Sequence, residues 1–260
     1  MKKKILFIDM DGTIIHGDKL LCSKDVTKIK ELQEAGHLVA FNTGRNFSEV
    51  QVPLNAFGLS YDYLVLSNGG YLYSKEEGPL YHYTMDQKAA FDILLKAMEL
   101  DITTYFFDGT NTYCYEQGKS YIDNTGGRTL LEDFDYLGTF QGLSGVELIS
   151  FHQMDQQIER LMVLKEYIDT NHRDSVTGHV NLHYLDVCAP GCDKGKGVTY
   201  LKEKLDVETY CIGDSYNDIP MFEVADHAFT FHRVDKDIQM HTQSQVDYVW
   251  QVVDKMLGGS

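Results

Sequence analysis

What the chain lacks sets its first limits. Its five cysteines, Cys22, Cys114, Cys188, Cys192 and Cys211, contain no C-x-x-C pair. Cys188 and Cys192 alone, four apart, are a poor zinc signal, and a scattered odd set suits reduced thiols in the cytoplasm. The ten histidines show no H-E-x-x-H spacing. Cations are scarce: 23 Lys and Arg stand against 39 Asp and Glu, a formal charge of −16. That balance excludes nucleic acid and anionic membrane surfaces as expected partners. No apolar run approaches a membrane span. Met1-Lys2-Lys3-Lys4 imitates the start of a signal peptide, but the run after it stops at Asp9, so no leader is expected. Internal repeats and low-complexity segments are also missing.

What remains is an ordinary globular composition, 43% apolar and 24% charged over 260 residues, enough for about one or two domains. The first 70 residues alternate strand and helix. Ile5–Ile8, Leu38–Phe41 and Tyr63–Leu66 are short continuous apolar runs, as expected for strands covered on both faces. Between them Val26, Ile29 and Leu32 recur at helical spacing, with Ser23 as candidate N-cap and Gly36 as stop, and a short helix is expected over Phe47–Phe57. This rhythm predicts a parallel sheet with helices on both faces.

The texture then changes. A hairpin is expected over Tyr71–Thr84, a helix over Met85–Leu100, and a block with more antiparallel strands from Ile102 to about Cys188. That block includes strands at Val146–Phe151 and Val180–Val187 and a helix at Met154–Thr170. After Cys188 the first texture returns: a loop over Gly191–Gly197, a helix over Val198–Leu205, a strand over Glu208–Ile212, a strand at Ala228–Phe231 and a helix over Val246–Leu257. The expected architecture is α/β, a Rossmann-like parallel-sheet core formed by 1–82 and 188–260, with an α+β domain of 83–187 inserted.

Asp9-Met10-Asp11-Gly12-Thr13 carries the strongest chemical signal. Two carboxylates at i and i+2, at the end of a buried strand, point the same way and repel unless a cation or a shared proton relieves them. Three further elements share the C-terminal edge of the expected sheet, where open α/β sheets bind ligands. They are Thr43-Gly44-Arg45, the loop with Lys194, and Asp214 with Asn217 and Asp218. Oxygen ligands in this number suit a hard cation such as Mg2+. The set can transfer a phosphoryl group. Asp9 is the candidate nucleophile and Asp11 the acid and base. Thr43, the Gly44 N–H, Arg45 and Asn217 are candidates to hold the phosphoryl group or substrate, and Lys194 to neutralise charge. Asp214 completes the metal site, and Asp218 reaches back behind it as an acceptor or further ligand. Asp108-Gly109-Thr110 is a false copy: Phe106 stands where the first carboxylate should be, and a hairpin turn is expected. The nearby Tyr105, Phe106, Phe107, Tyr113 and Tyr115 are expected to pack within a sheet.

These motifs resemble those of the haloacid dehalogenase superfamily. Asp9-Met10-Asp11-Gly12-Thr13 is similar to its motif I and Thr43-Gly44-Arg45 to motif II. Lys194-Gly195 is similar to motif III, and Gly213-Asp214-Ser215-x-Asn217-Asp218 to motif IV. The insert, the Ser67-Asn68-Gly69 turn and Met221 resemble the Cof-like phosphatases with a type IIB cap. The resemblance implies a Mg2+-dependent phosphatase acting on small phosphorylated metabolites, sugar phosphates first, through an aspartyl-phosphate. It implies metal contacts from Asp9, the Asp11 backbone carbonyl and Asp214. A monomer is expected, with a dimer as the alternative. The rival functions are a phosphotransferase or mutase using the same intermediate, and a metabolite-binding protein without activity. One departure stands near the end: Phe229-Thr230-Phe231-His232-Arg233 and Val246-Asp247-Tyr248 replace the small-residue Asn-Ala and Gly-containing segments usual in the subfamily.

Overall fold

The computed structural model describes residues 2–258 except 18, 109, 110, 125, 126, 154–157 and 182. The chain divides into two compact units, 1–82 with 193–260, and 83–192. The chain re-enters the first unit at Asp193 rather than at 188. The reason is packing: Cys188, Ala189 and Cys192 are buried in the second unit's apolar core.

The first unit is built on an eight-stranded sheet. Its order is Ser244–Val246, His227–Phe231, Glu208–Ile212, Lys4–Ile8, Leu38–Asn42, Tyr63–Leu66, Tyr71–Ser74 and Gly78–His82. The first six strands run parallel, and the last two add an antiparallel hairpin at one edge. Alternate residues feed two apolar layers, because successive strand side chains point to opposite faces. Leu6, Ile8, Val39, Phe41, Leu64 and Ile212 pack with Ile29, Leu32, Val50, Leu54, Val252 and Val253. Ile5, Phe7, Ala40, Val65 and Cys211 pack with Val198, Leu201, Met221 and Phe222. Both faces are covered by helices, which is why these strands read as unbroken apolar runs.

The helices agree with the periodicity in most places and correct it in three. Phe47–Phe57 is helical as expected and starts from a capping box of Asn46 and Glu49. The helix over Ser23–Glu34 has Cys22, not Ser23, at its N-cap position, with no side-chain cap. The helix expected from Val198 starts at Lys194: Asp193 caps it by accepting from the N–H groups of Gly195 and Lys196. The Gly-rich composition of Gly191–Gly197 concealed that cap. Val246–Leu257 divides into a strand, Ser244–Val246, and a helix, Val249–Met256, because Val246 pairs with Phe231.

The second unit is α+β. A seven-stranded antiparallel sheet runs in the order Gly127–Leu131, Lys119–Asn124, Thr112–Glu116, Thr103–Phe107, Leu148–His152, Tyr184–Cys188 and Thr177–Asn181. Helices Gln87–Glu99, Tyr136–Gln141 and Ile158–Asn171 share its core. The single strand expected over Val180–Val187 is two antiparallel strands, Val180 pairing with Leu185. Residues 154–157, where the expected helix began, lie outside the described residues. So do Gly109 and Thr110 of the false motif, although Phe107 and Thr112 pair across that turn. Phe106 packs on Tyr113, Tyr136 and Phe140, so these aromatics serve the sheet's core. No described helix is long and apolar enough to cross a membrane.

Candidate active site

Parallel strands deliver their C-terminal ends to one edge. Lys4–Ile8 is central, paired with Glu208–Ile212 on one side and Leu38–Asn42 on the other. Asp9, Thr43 and Asp214 therefore follow neighbouring strands and meet at the same edge. Lys194 arrives as the first residue of its helix, held there by Asn42, whose side-chain amide donates to the Lys194 carbonyl at 2.8 Å.

Lys194 is the centre of the charge network. Its ammonium, 2% exposed, donates to Asp9 Oδ1 at 2.7 Å and to Asp218 Oδ1 at 2.6 Å. Asp218 is fully buried, and its other oxygen accepts the backbone N–H groups of Asp214 and Ser215, both at 2.9 Å. One carboxylate thus ties the lysine to the loop that carries Asp214. Asp214 itself accepts from the Ser215 hydroxyl at 2.7 Å. Asp9, Asp214 and Asp218 each place a carboxylate oxygen within 4.8 Å of the others.

Burial makes this crowding expensive. Burial and the neighbouring Asp218 push the Asp9 carboxyl up to about 7, against the pull of Lys194. Burial and Asp9 push Asp214 up to about 6. Lys194 is drawn above the usual lysine range by its two carboxylates, which outweigh its own desolvation. The set fits a hard divalent cation on a structural ground: Asp9 Oδ2 is buried and has no hydrogen-bond partner. A carboxylate oxygen so placed, beside two more carboxylates, wants positive charge. Gly12 permits the approach. With φ at +84°, any Cβ there would lie 2.0 Å from Asp214 Oδ2.

Asp11 is placed differently. It is half exposed, and Arg45 grips both of its oxygens, Nε to Oδ2 at 2.8 Å and a terminal N–H to Oδ1 at 2.7 Å. Thr43 is buried and accepts the Arg45 N–H at 3.2 Å through its hydroxyl, with Gly44 half-buried between them. Asn217 donates to Asn68 Oδ1 at 3.4 Å, and its own Oδ1 is buried without a partner. The edge thus gathers the two carboxylates of the first loop, Lys194, the Thr43–Arg45 turn and the Asp214–Asp218 loop.

Four contributors had no role assigned to them from the sequence: Asn42, Ser215, Thr230 and Arg233. Thr230 donates to the Gly213 carbonyl at 2.7 Å and Arg233 to the Gly12 carbonyl. Asn42 and Thr230 are polar residues inside apolar strands, a local signal that was available. Ser215 had its place inside Gly213-Asp214-Ser215-x-Asn217-Asp218, and Arg233 had only its place in the divergent segment.

Residues 6–249 match the haloacid dehalogenase-like hydrolase family. A phosphatase of Bacillus subtilis is 24% identical over 267 residues, covering 91% of this chain and 92% of its own. The 5-amino-6-(5-phospho-D-ribitylamino)uracil phosphatase of the same organism is 24% identical over 288 residues, covering 98% and 99%. The solved subclass IIB sugar phosphatase BT4131 has a similar fold, with a TM-score of 0.76 at 18% identity over 98% of this chain and 99% of its own. The four motifs, the inserted α+β unit and the match along nearly the whole chain agree: the chain belongs to the haloacid dehalogenase-like hydrolases, as a Cof-like phosphatase of that superfamily.

Proposed function

We propose that the protein hydrolyses phosphate monoesters of small metabolites, sugar phosphates first, in a Mg2+-dependent reaction through an aspartyl-phosphate on Asp9. The observation that carries this reading is the state of Asp9. Lys194 holds one of its oxygens and the other is uncommitted, at the edge where Thr43 and Asp214 also end. The relatives' substrates, a phosphoribityl compound for one and sugar phosphates for another, point the same way. The net charge of −16 repels phosphate in general, so attraction must come from Lys194, Arg45 and the cation.

An Asp9 oxygen attacks phosphorus and the ester P–O bond breaks. Asp11, protonated, gives its proton to the leaving oxygen. Asp11 then takes a proton from the attacking water, the bond from phosphorus to Asp9 breaks, and inorganic phosphate leaves. Lys194 keeps Asp9 in place and offsets charge on the transferring group. Thr43 and the Gly44 N–H hold phosphoryl oxygens, and Asn217 has an amide near the same edge. Arg45, which donates to both Asp11 oxygens, orients that carboxyl at the edge. Asp9, the Asp11 carbonyl and Asp214 would hold a divalent cation, which would neutralise phosphoryl charge when bound.

The test is phosphate release from a generic aryl phosphate, with and without Mg2+, for the wild type and Asp9→Asn. Loss of the nucleophile is expected to reduce turnover by at least about a thousandfold. Equal release by both proteins overturns the assignment. A panel of sugar phosphates and other phosphorylated metabolites, ranked by kcat/KM, tests the substrate class.

A further inference from the structure

Arg233 follows the His227–Phe231 strand, in the segment that departs from the subfamily pattern. Its guanidinium donates to the carbonyl of Gly12, 221 residues earlier in the chain. It also lies over the ring of Phe231, with Cζ 3.6 Å from the ring centroid, a cation–π stack that holds the fork in place. Gly12 is the residue whose Cα surface touches the Asp214 carboxylate. One peptide therefore has a cation at its carbonyl and a carboxylate against its α-carbon.

The charges around it explain why a cation belongs there. Lys194 is committed to Asp9 and Asp218, and Arg45 to Asp11. Asp214 has the Ser215 hydroxyl as a donor. Burial and Asp9 raise the Asp214 carboxyl, while Lys194 and Arg233 draw it back down. Desolvation lowers Arg233 in turn, and Asp214 is the first of the charges that oppose this.

Resting on the reading of Asp9 and Asp214 as a divalent-cation site, we propose that Arg233 is a positioning residue of that site. It anchors the Gly12 peptide, and so the loop that carries Asp11, and its charge offsets the carboxylates before a cation arrives. The device keeps the loop in shape in the metal-free protein and at the same time weakens cation binding, because the guanidinium repels the ion it precedes. A clamp without an electrostatic role has no such effect on affinity.

The sign of that effect is the test. Mg2+ is titrated calorimetrically into the full-length, metal-stripped protein, without substrate. Arg233→Gln and Arg233→Met, which lose the charge, are expected to bind Mg2+ roughly threefold to tenfold more tightly than the wild type. Arg233→Lys, which keeps it, is expected to stay close to wild type. In EDTA the two neutral variants are expected to melt about 2–4 °C lower, and saturating Mg2+ should close most of that gap. Unchanged or weaker Mg2+ binding in both neutral variants overturns the inference, as does a melting deficit that Mg2+ does not reduce. Two neutral side chains guard against one that simply fails to fold. If the wild type itself binds no Mg2+, the reading of the cation site falls, and this inference with it. If the wild type binds and the variants match it, only the role of Arg233 is lost.

Discussion

Replacing Lys194 by methionine keeps most of the side-chain volume and removes the one charge that lies between two buried carboxylates. Lys194 is 2% exposed, and its contacts to Asp9 and Asp218 are 2.7 and 2.6 Å. Breaking a buried pair by deleting one partner typically costs about 3–5 kcal/mol, because the other charge is left uncompensated. For a protein of this size that corresponds to a fall in Tm of about 6–20 °C. The loss has a pH signature. Burial and Asp218 already raise Asp9 to about 7 with the lysine present, and burial raises Asp218 as well. Without Lys194 both carboxyls rise further, so the folded variant holds protons that the unfolded chain has released. Its deficit is therefore smaller at about pH 5, where Asp9 is protonated, than at about pH 8. Urea denaturation at both values, in EDTA so that no cation replaces the lysine, measures the difference. A variant as stable as the wild type at the higher pH, or a deficit of equal size at both, refutes the reasoning.

Two further outcomes follow from particular contacts. Gly12→Ala places a methyl group against Asp214 Oδ2 at a backbone φ of +84°, so Mg2+ affinity read by calorimetry should fall by at least about tenfold; retained affinity would show that the loop moves freely. Asp25 is buried beneath the last helix, where its Oδ1 accepts the Trp250 N–H at 2.8 Å, and burial raises it from 3.8 to about 6 against that bond and Lys24. Its protonated form favours the fold, so that contribution is complete below about pH 4 and is lost as pH rises through about 6, a change of roughly 2–3 kcal/mol. Asp25→Asn should flatten the stability profile over that range by this amount, with or without Mg2+, and an unchanged slope in urea titrations would refute it.

Much of the first unit was legible locally. Ile5–Ile8, Leu38–Phe41 and Tyr63–Leu66 announce strands covered on both faces because they carry no polar side to show to water, and that is how they pack. Boundaries failed where a pairing or cap from elsewhere decided them. Val246 joined the sheet because Phe231 lies beside it, and the helix at Lys194 began early because Asp193 caps it. Asp9, Asp11 and Asp214 could be found because all lie just past the end of an apolar strand. Asn42 and Thr230 were visible as polar interruptions in such strands, but nothing local reveals what they hold.

The sequence by itself determined which residues end the strands, and therefore which chemistry lies at the edge of the sheet. A run of apolar residues, its length and its last polar residue are local facts, and parallel strands carry them to one edge without further information. Tertiary structure decided the division of labour there. Lys194 serves Asp9, 185 residues away, and Asp218 at once. Arg45 takes Asp11 rather than Asp9, and Arg233 reaches Gly12 from near the other end of the chain. Charge pairing in a buried site depends on distances of a few ångströms among residues hundreds of positions apart. No local pattern encodes those distances, and they exist only once the sheet has brought the strands side by side.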